Sequence, residues 1–254
     1  MSNTHLIGSP RCGTTYMNRV IQKFYAPNTI KKESDGDLFN EPFGDMHESD
    51  TNKKTEYYNN FFNKIKQWEK VCIKSHYYHL DILNEYGFMN NLADLKCYNI
   101  LMIRKNIWNT TLSLSIAQLK NEWFDYKNMS SIDIDINFHR KSINLYFQNL
   151  IGLHENKYNL NYNEIIFYED LTFDPKTDFS NTKLCKRTYD ELPDIYLGNH
   201  FKKSPSKKNT VINYDELYEF TKEHTKYCMD WWGIDWMSVN DETVIQDFPF
   251  QQDK

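Results

Sequence analysis

Near the N-terminus, the stretch His5-Leu6-Ile7-Gly8-Ser9-Pro10-Arg11-Cys12-Gly13-Thr14-Thr15-Tyr16 restricts the fold more than any other part of the chain. It reads as a short buried strand, a glycine-bounded loop, and a helix whose apolar residues Met17, Val20, Ile21 and Phe24 share one face. From Gly8 to Thr15 the spacing is that of a phosphate-binding loop, Gly-x-x-x-x-Gly-Lys-[Ser/Thr]. Thr14 stands where the lysine belongs, and the cation, Arg11, sits inside the loop. Such a loop still points backbone N–H groups and a helix N-terminus at an anion. It lacks the lysine that an ATPase applies to the terminal phosphates. The expectation is an anion cradle not built for ATP hydrolysis; the bland alternative is a strand-to-helix turn with incidental glycines.

Apolar runs alternate with helix-period segments along the rest of the chain, the pattern of a parallel sheet flanked by helices. Thr55 to Glu69 is expected to be helical, with Tyr58, Phe62, Ile65 and Trp68 near one face. Val71 to Lys74 reads as a second strand, and Tyr78 to Tyr86 as a helix closed by Gly87. A third strand, Tyr98 to Ile103, precedes a helix capped by Asn106 with Trp108, Leu112, Ile116 and Leu119 on one face. Asn121 to Asp135 has no clear period and is expected to be a loop; Phe138 to Leu153 returns to helix, and Glu164 to Tyr168 is a fourth strand. The last helix is expected from Asn213, with Glu216 completing a capping box. No repeat or linker interrupts the 254 residues, so one α/β domain is expected.

Composition narrows the function classes. A formal net charge of -5 argues against a general nucleic-acid binder, so any basic site is local. Five scattered cysteines without a Cys-x-x-Cys pair suit reduced thiols better than a disulfide framework or a zinc site. No apolar stretch approaches the ~20 residues that span a bilayer, and no signal-like run precedes the first strand. A cytoplasmic chain without a membrane partner is expected.

Five local patterns then occur in a telling order. They are the Gly8 to Tyr16 loop; Lys74-Ser75-His76 at a strand end; Ile103-Arg104-Lys105 followed by Ser113; Phe167-Tyr168-Glu169-Asp170-Leu171 with Pro175; and a late basic cluster of Lys202, Lys203, Lys207 and Lys208. The ordered set, from Leu6 to about Trp232, resembles the sulfotransferases that use 3′-phosphoadenosine 5′-phosphosulfate, whose loop is usually Pro-[Lys/Arg]-Ser-Gly-Thr-[Thr/Ser]-[Trp/Leu]. That resemblance implies the sulfotransferase variant of the P-loop nucleotide-binding architecture. It implies 3′-phosphoadenosine 5′-phosphosulfate as sulfuryl donor, with no metal needed.

Carried over residue by residue, Arg11, Cys12, Gly13, Thr14, Thr15 and Tyr16 would hold the 5′-phosphosulfate. Arg11 would also stabilise charge on the leaving oxygen, a preference for the transition state over the ground state. His76 is the leading general base, because a neutral imidazole can take the acceptor hydroxyl proton near neutral pH. Lys74, on the same strand face, would stabilise the bridging oxygen. Glu41, in Asn40-Glu41-Pro42-Phe43, is the rival base, since other branches of the family place a carboxylate after the first helix. Arg104 or Lys105, with Ser113, would clamp the 3′-phosphate: Ser113 lies nine residues after Arg104 and eight after Lys105, and the family usually shows eight. Lys203 is the favoured member of the basic cluster to close over the nucleotide, although a charge run is often a solvated face. Glu169 and Asp170 are expected to tie down neighbouring loops.

The acceptor is expected to be a small molecule or carbohydrate met by the loops Asp35 to Thr55 and Asn121 to Asp135, where Phe39, Phe43, Trp123, Phe124 and Tyr126 would form an aromatic wall; packing is the alternative for each. Two other functions fit the same loop: a P-loop kinase of small metabolites, and a non-catalytic nucleotide-binding protein. Oligomeric state is left open.

Overall fold

The computed structural model describes residues 3–25, 42–43, 51–67, 70–121, 131–195, 197 and 207–232. Strand β1 (Thr4–Gly8) is buried along its whole length, as an apolar run in the middle of a parallel sheet must be. It pairs in parallel with β2 (Cys72–His76) on one side and β3 (Tyr98–Ile103) on the other. Strand β4 (Tyr162–Phe167) pairs in parallel with β3, giving the order β2-β1-β3-β4.

Parallel neighbours cannot be joined by a tight turn, so helices fill the connections. After β1 come α1 (Thr14–Tyr25) and α2 (Thr51–Ile65); after β2, α3 (Tyr77–Glu85) and α4 (Met89–Asp94); after β3, α5 (Ile107–Lys120) and α6 (Ile136–Glu155). Beyond β4 lie α7 (Pro175–Ser180) and α8 (Tyr214–Trp232). The chain is thus α/β, with a four-stranded parallel sheet flanked by helices.

Alternation along each strand sorts side chains between two layers. Ile7, Ile73, Leu101 and Ile103 pack with Tyr58, Phe61, Phe62 and Ile65 of α2 and with Leu80 and Leu83 of α3. Leu6, Cys72, Ile100 and Met102 face Met17, Val20, Ile21 and Phe24 of α1. Two further clusters join α5, α6 and α8: Ile107 with Tyr146 and Phe147, and Trp108, Leu112 and Ile116 with Ile132, Ile134, Val211 and Leu217.

Several expectations need correction. Strand β2 runs on to His76, because its parallel register with β1 continues to the Gly8–His76 pair. The short helices α4 and α7 lacked a readable period, being one and a half turns each. Leu119 lies outside the predicted apolar stripe, at 45% exposure, since α5 is near its end there. Asn213 directs its side-chain amide to the backbone of Ile134 rather than into a capping box with Glu216. Phe43 is buried in the core, its ring 5.3 Å from Phe61 and 5.9 Å from Phe62, and so does not line an acceptor surface. By contrast, Asn106 caps α5 as expected, its Oδ1 accepting the Asn109 N–H at 2.8 Å. Trp68, Phe39, Trp123, Phe124 and Tyr126 lie outside the described residues. All five cysteines are free thiols. No helix among the described residues is long and apolar enough to cross a membrane.

Candidate functional site

In the order β2-β1-β3-β4 the chain leaves β1 toward one side and later returns to the other. The crevice beyond the carboxyl ends of β1 and β3 is therefore a topological switch point, the usual ligand position in an open parallel sheet. The loop after β1 fills it. Gly8 has to be glycine, because a Cβ there would lie 2.7 Å from both Cys12 Sγ and the carbonyl oxygen of Met102. Gly13 adopts φ 84°, and Arg11 adopts φ 67°, a region that non-glycine residues avoid except where surroundings enforce it. Cys12 turns inward between them and donates its thiol to the carbonyl of Ser9. Burial pushes that thiol up to about 11, against the pull of nearby Lys74, so it stays protonated at neutral pH. The loop then enters α1 at Thr14, leaving the first-turn N–H groups of the helix directed out of its N-terminus.

Positive charge converges on this N-terminus. Lys74, only 2% exposed, reaches from β2 to donate its Nζ to Thr15 Oγ1 at 2.6 Å. The Arg11 Nε donates to Ser113 Oγ at 3.0 Å, and Ser113, fully buried on α5, is not the solvated serine that helix spacing alone would allow. Arg104, at the end of β3, donates from Nη1 to the carbonyl of Arg11 at 3.3 Å and lies 4.2 Å over the ring of Tyr168. Its Nε is buried without a hydrogen-bond partner among the described residues. A charged donor in that state costs more than the roughly 1–3 kcal/mol of a neutral one, which an anion oxygen would recover. Lys207 is also buried here; burial first, then Arg104 and Arg11, hold its ammonium well below the usual lysine range. Like charges held together around a helix N-terminus favour an anion at their centre.

His76 borders the same loop. Its Nδ1 lies 3.0 Å from the carbonyl oxygen of Gly8. A carbonyl can only accept, so this contact is a hydrogen bond in the tautomer that carries its hydrogen on Nδ1. In that tautomer Nε2 keeps its lone pair. The His76 backbone N–H donates to His79 Nδ1 at 3.1 Å, fixing the junction between β2 and α3. Lys74 and His76, two residues apart, share one strand face.

The other predicted residues separate clearly. Alternation puts Arg104 on the face of Met102 and Lys105 on the face of Ile103, so Arg104 is the one that meets Arg11. Lys105 instead lays its ammonium 3.9 Å over Phe167. Glu169 accepts the N–H groups of Lys105 and Asn106, both at 3.0 Å, and holds the turn into α5, the loop-tying role expected of it. Tyr16 donates its hydroxyl to Asp178 at 2.6 Å and packs its ring on Phe173 at 4.8 Å, leaving only its backbone available to an anion. Thr14 is buried and Thr15 half-buried at the helix start. Glu41 and Lys203 lie outside the described residues. Lys207, not singled out from its basic cluster by any sequence signal, is buried near Arg11 and Arg104. Comparison of the chain with protein-family models and with curated proteins finds no match to either.

Proposed function

We propose that the chain is a sulfotransferase of the P-loop-like architecture, moving a sulfuryl group from 3′-phosphoadenosine 5′-phosphosulfate to the hydroxyl or amine of an acceptor. The observation that carries this proposal is a cationic helix N-terminus with an imidazole beside it: Lys74 Nζ lies 2.6 Å from Thr15 Oγ1, and His76 Nδ1 lies 3.0 Å from the carbonyl oxygen of Gly8. A site that only bound nucleotide would have no use for the base, and no residue of the loop supplies a Walker lysine.

The donor supplies an electrophilic sulfuryl group on a phosphate leaving group. His76 Nε2 takes the acceptor proton as the acceptor–sulfur bond forms and the sulfur–oxygen bond to the 5′-phosphate breaks. Arg11, Lys74 and the first-turn N–H groups of α1 stabilise the electron pair left on that phosphate oxygen. Arg104, Lys207 and Ser113 face a second anionic group, which fits the 3′-phosphate, and the unpartnered Arg104 Nε supports that fit.

The test is an acceptor screen with radiolabelled 3′-phosphoadenosine 5′-phosphosulfate, run beside magnesium and ATP. Transfer of label to a phenol, sugar or amine is the expected result. Magnesium-dependent phosphorylation instead would overturn the proposal in favour of a kinase. Binding of 3′-phosphoadenosine 5′-phosphate with no turnover on any acceptor would leave a nucleotide-binding protein.

A further inference from the structure

The segment that delivers Lys207 is fastened to a distant part of the chain by a short ladder. The N–H of Ile132 donates to the carbonyl of Thr210 at 2.8 Å, and the N–H of Ile212 donates to the carbonyl of Ile132 at 2.8 Å, forming a parallel bridge between Ile132 and Val211. The backbone ladder ends here as α8 begins, with the N–H of Leu217 donating to the carbonyl of Asn213 at 3.0 Å. The side chain of Asn213 takes over. Its Nδ2 donates to the carbonyl of Ile134 at 2.9 Å, and its Oδ1 accepts the Ile134 N–H at 3.1 Å. An amide is the side chain that offers the same donor and acceptor pair as a peptide group.

On the other side of the bridge, the carbonyl of Lys207 accepts the N–H groups of Thr210 and Val211 at 3.0 and 3.1 Å. Lys207 therefore sits at the root of a tight turn whose far end is locked. Ile132, Ile134 and Val211 are buried against Trp108 and Leu112 of α5, the helix that also carries Ser113. Both Ser113 and Lys207 are thus referenced to one helix.

We infer that Asn213 is a positioning residue that holds Lys207 beside Arg11 and Arg104, by clasping the turn after Lys207 to the backbone of Ile134. The inference rests on the anion-site reading above, but its first test needs no ligand. Removal of the amide leaves the N–H and carbonyl of Ile134, whose side chain is fully buried, without their partners, so the two segments separate.

The experiment follows the Lys207 ammonium by NMR of lysine labelled next to Nζ, the resonance being assigned by its loss in Lys207→Met. In the native chain it is expected to titrate below ordinary lysine, because the side chain is buried near Arg104 and Arg11. Asn213→Ala is expected to return it toward the ordinary range while thermal unfolding stays cooperative; an unchanged titration overturns the inference. Should Asn213→Ala fail to fold, Asn213→Asp, which keeps the acceptor and loses the donor, is judged by the same criterion. A second arm measures 3′-phosphoadenosine 5′-phosphate by calorimetry. Asn213→Ala is expected to weaken binding about tenfold in the native background, the scale of one hydrogen bond to a charged group, and to have no further effect in Lys207→Met. Equal weakening in both backgrounds overturns the inference. A native chain that binds none of this nucleotide overturns the sulfotransferase proposal, and the titration still decides the role of Asn213.

Discussion

Two fully buried histidines are expected to make the stability of this protein fall steeply in mild acid. His5, on β1, is fully buried with Nε2 2.6 Å from Ser75 Oγ, and burial lowers it to about 3. Among the described residues its Nδ1 has no hydrogen-bond partner, so a proton added there would be a buried, unpaired N–H. His139, on α6, is fully buried between Ser115 Oγ at 2.7 Å and Thr221 Oγ1 at 2.8 Å, and burial, aided by His224, lowers it to about 4. The sign follows from linkage: below the ordinary histidine value of 6.5 the unfolded chain binds these protons and the folded chain does not. Stability is complete above that value and is lost as pH falls toward about 4 for His139 and about 3 for His5. At about pH 5 each histidine contributes a loss of ~2 kcal/mol, ~4 kcal/mol together, a large part of the roughly 5–15 kcal/mol that holds a typical domain. His224, lowered by partial burial and by Arg140, adds to the same slope.

The assay is urea unfolding followed by tryptophan fluorescence at about pH 7.5 and about pH 5, in the native chain and in a His5→Gln, His139→Gln double variant. The native chain is expected to lose at least ~4 kcal/mol between the two conditions. The double variant starts less stable, because each glutamine fits its site imperfectly, and is expected to lose ~4 kcal/mol less than the native chain, the remaining slope belonging to groups such as His224 and Lys207. An equal loss in both proteins would refute the reasoning and assign acid lability to other groups. A pH–rate profile in the native background mixes this folding loss with catalysis on its acid side, so it is best measured beside the unfolding curves.

Three further outcomes are expected. His76→Ala should lower turnover ~100-fold or more while calorimetric affinity for 3′-phosphoadenosine 5′-phosphate changes little, since the imidazole acts on the acceptor; near-normal turnover would shift the role of base toward Glu41. Arg11→Ala should raise the barrier by roughly 3–4 kcal/mol, read as kcat/KM, by analogy with loss of one oxyanion donor. Arg104→Gln should weaken binding of the same nucleotide by about 10- to 100-fold, whereas Lys105→Gln, whose ammonium lies on Phe167, should leave it within a few-fold, and the reverse order in calorimetry would contradict the face assignment.

The opening strand, loop and first helix were legible because every signal in them is short-range. An apolar run, two glycines five residues apart, and a period of 3.6 specify a strand, a tight loop and an amphipathic helix without help from elsewhere. Asn106 was legible as a cap for the same reason, its partner being three residues away. Spacing alone could not choose between Arg104 and Lys105. They point to opposite faces of the sheet, and the choice turns on which face meets the loop after β1. Tyr16 shows the same limit: nothing local foretells a bond to Asp178, 162 residues later. Phe43, which looked free to line an acceptor surface, found a pocket among aromatic side chains of α2.

By itself, then, the sequence determined the α/β class, the glycine-bounded loop between the first strand and helix, and the nearness of Lys74 to His76 on one strand. Those properties depend on backbone geometry within a few residues. Only the tertiary structure decided that Arg11 meets Ser113, 102 residues away, that Arg104 faces the loop, and that Lys207 is buried near both arginines. Such pairings depend on strand order, on which sheet face a helix covers, and on a side-chain amide that continues a broken ladder. These are long-range contacts, and the chain acquires them only when its core is packed.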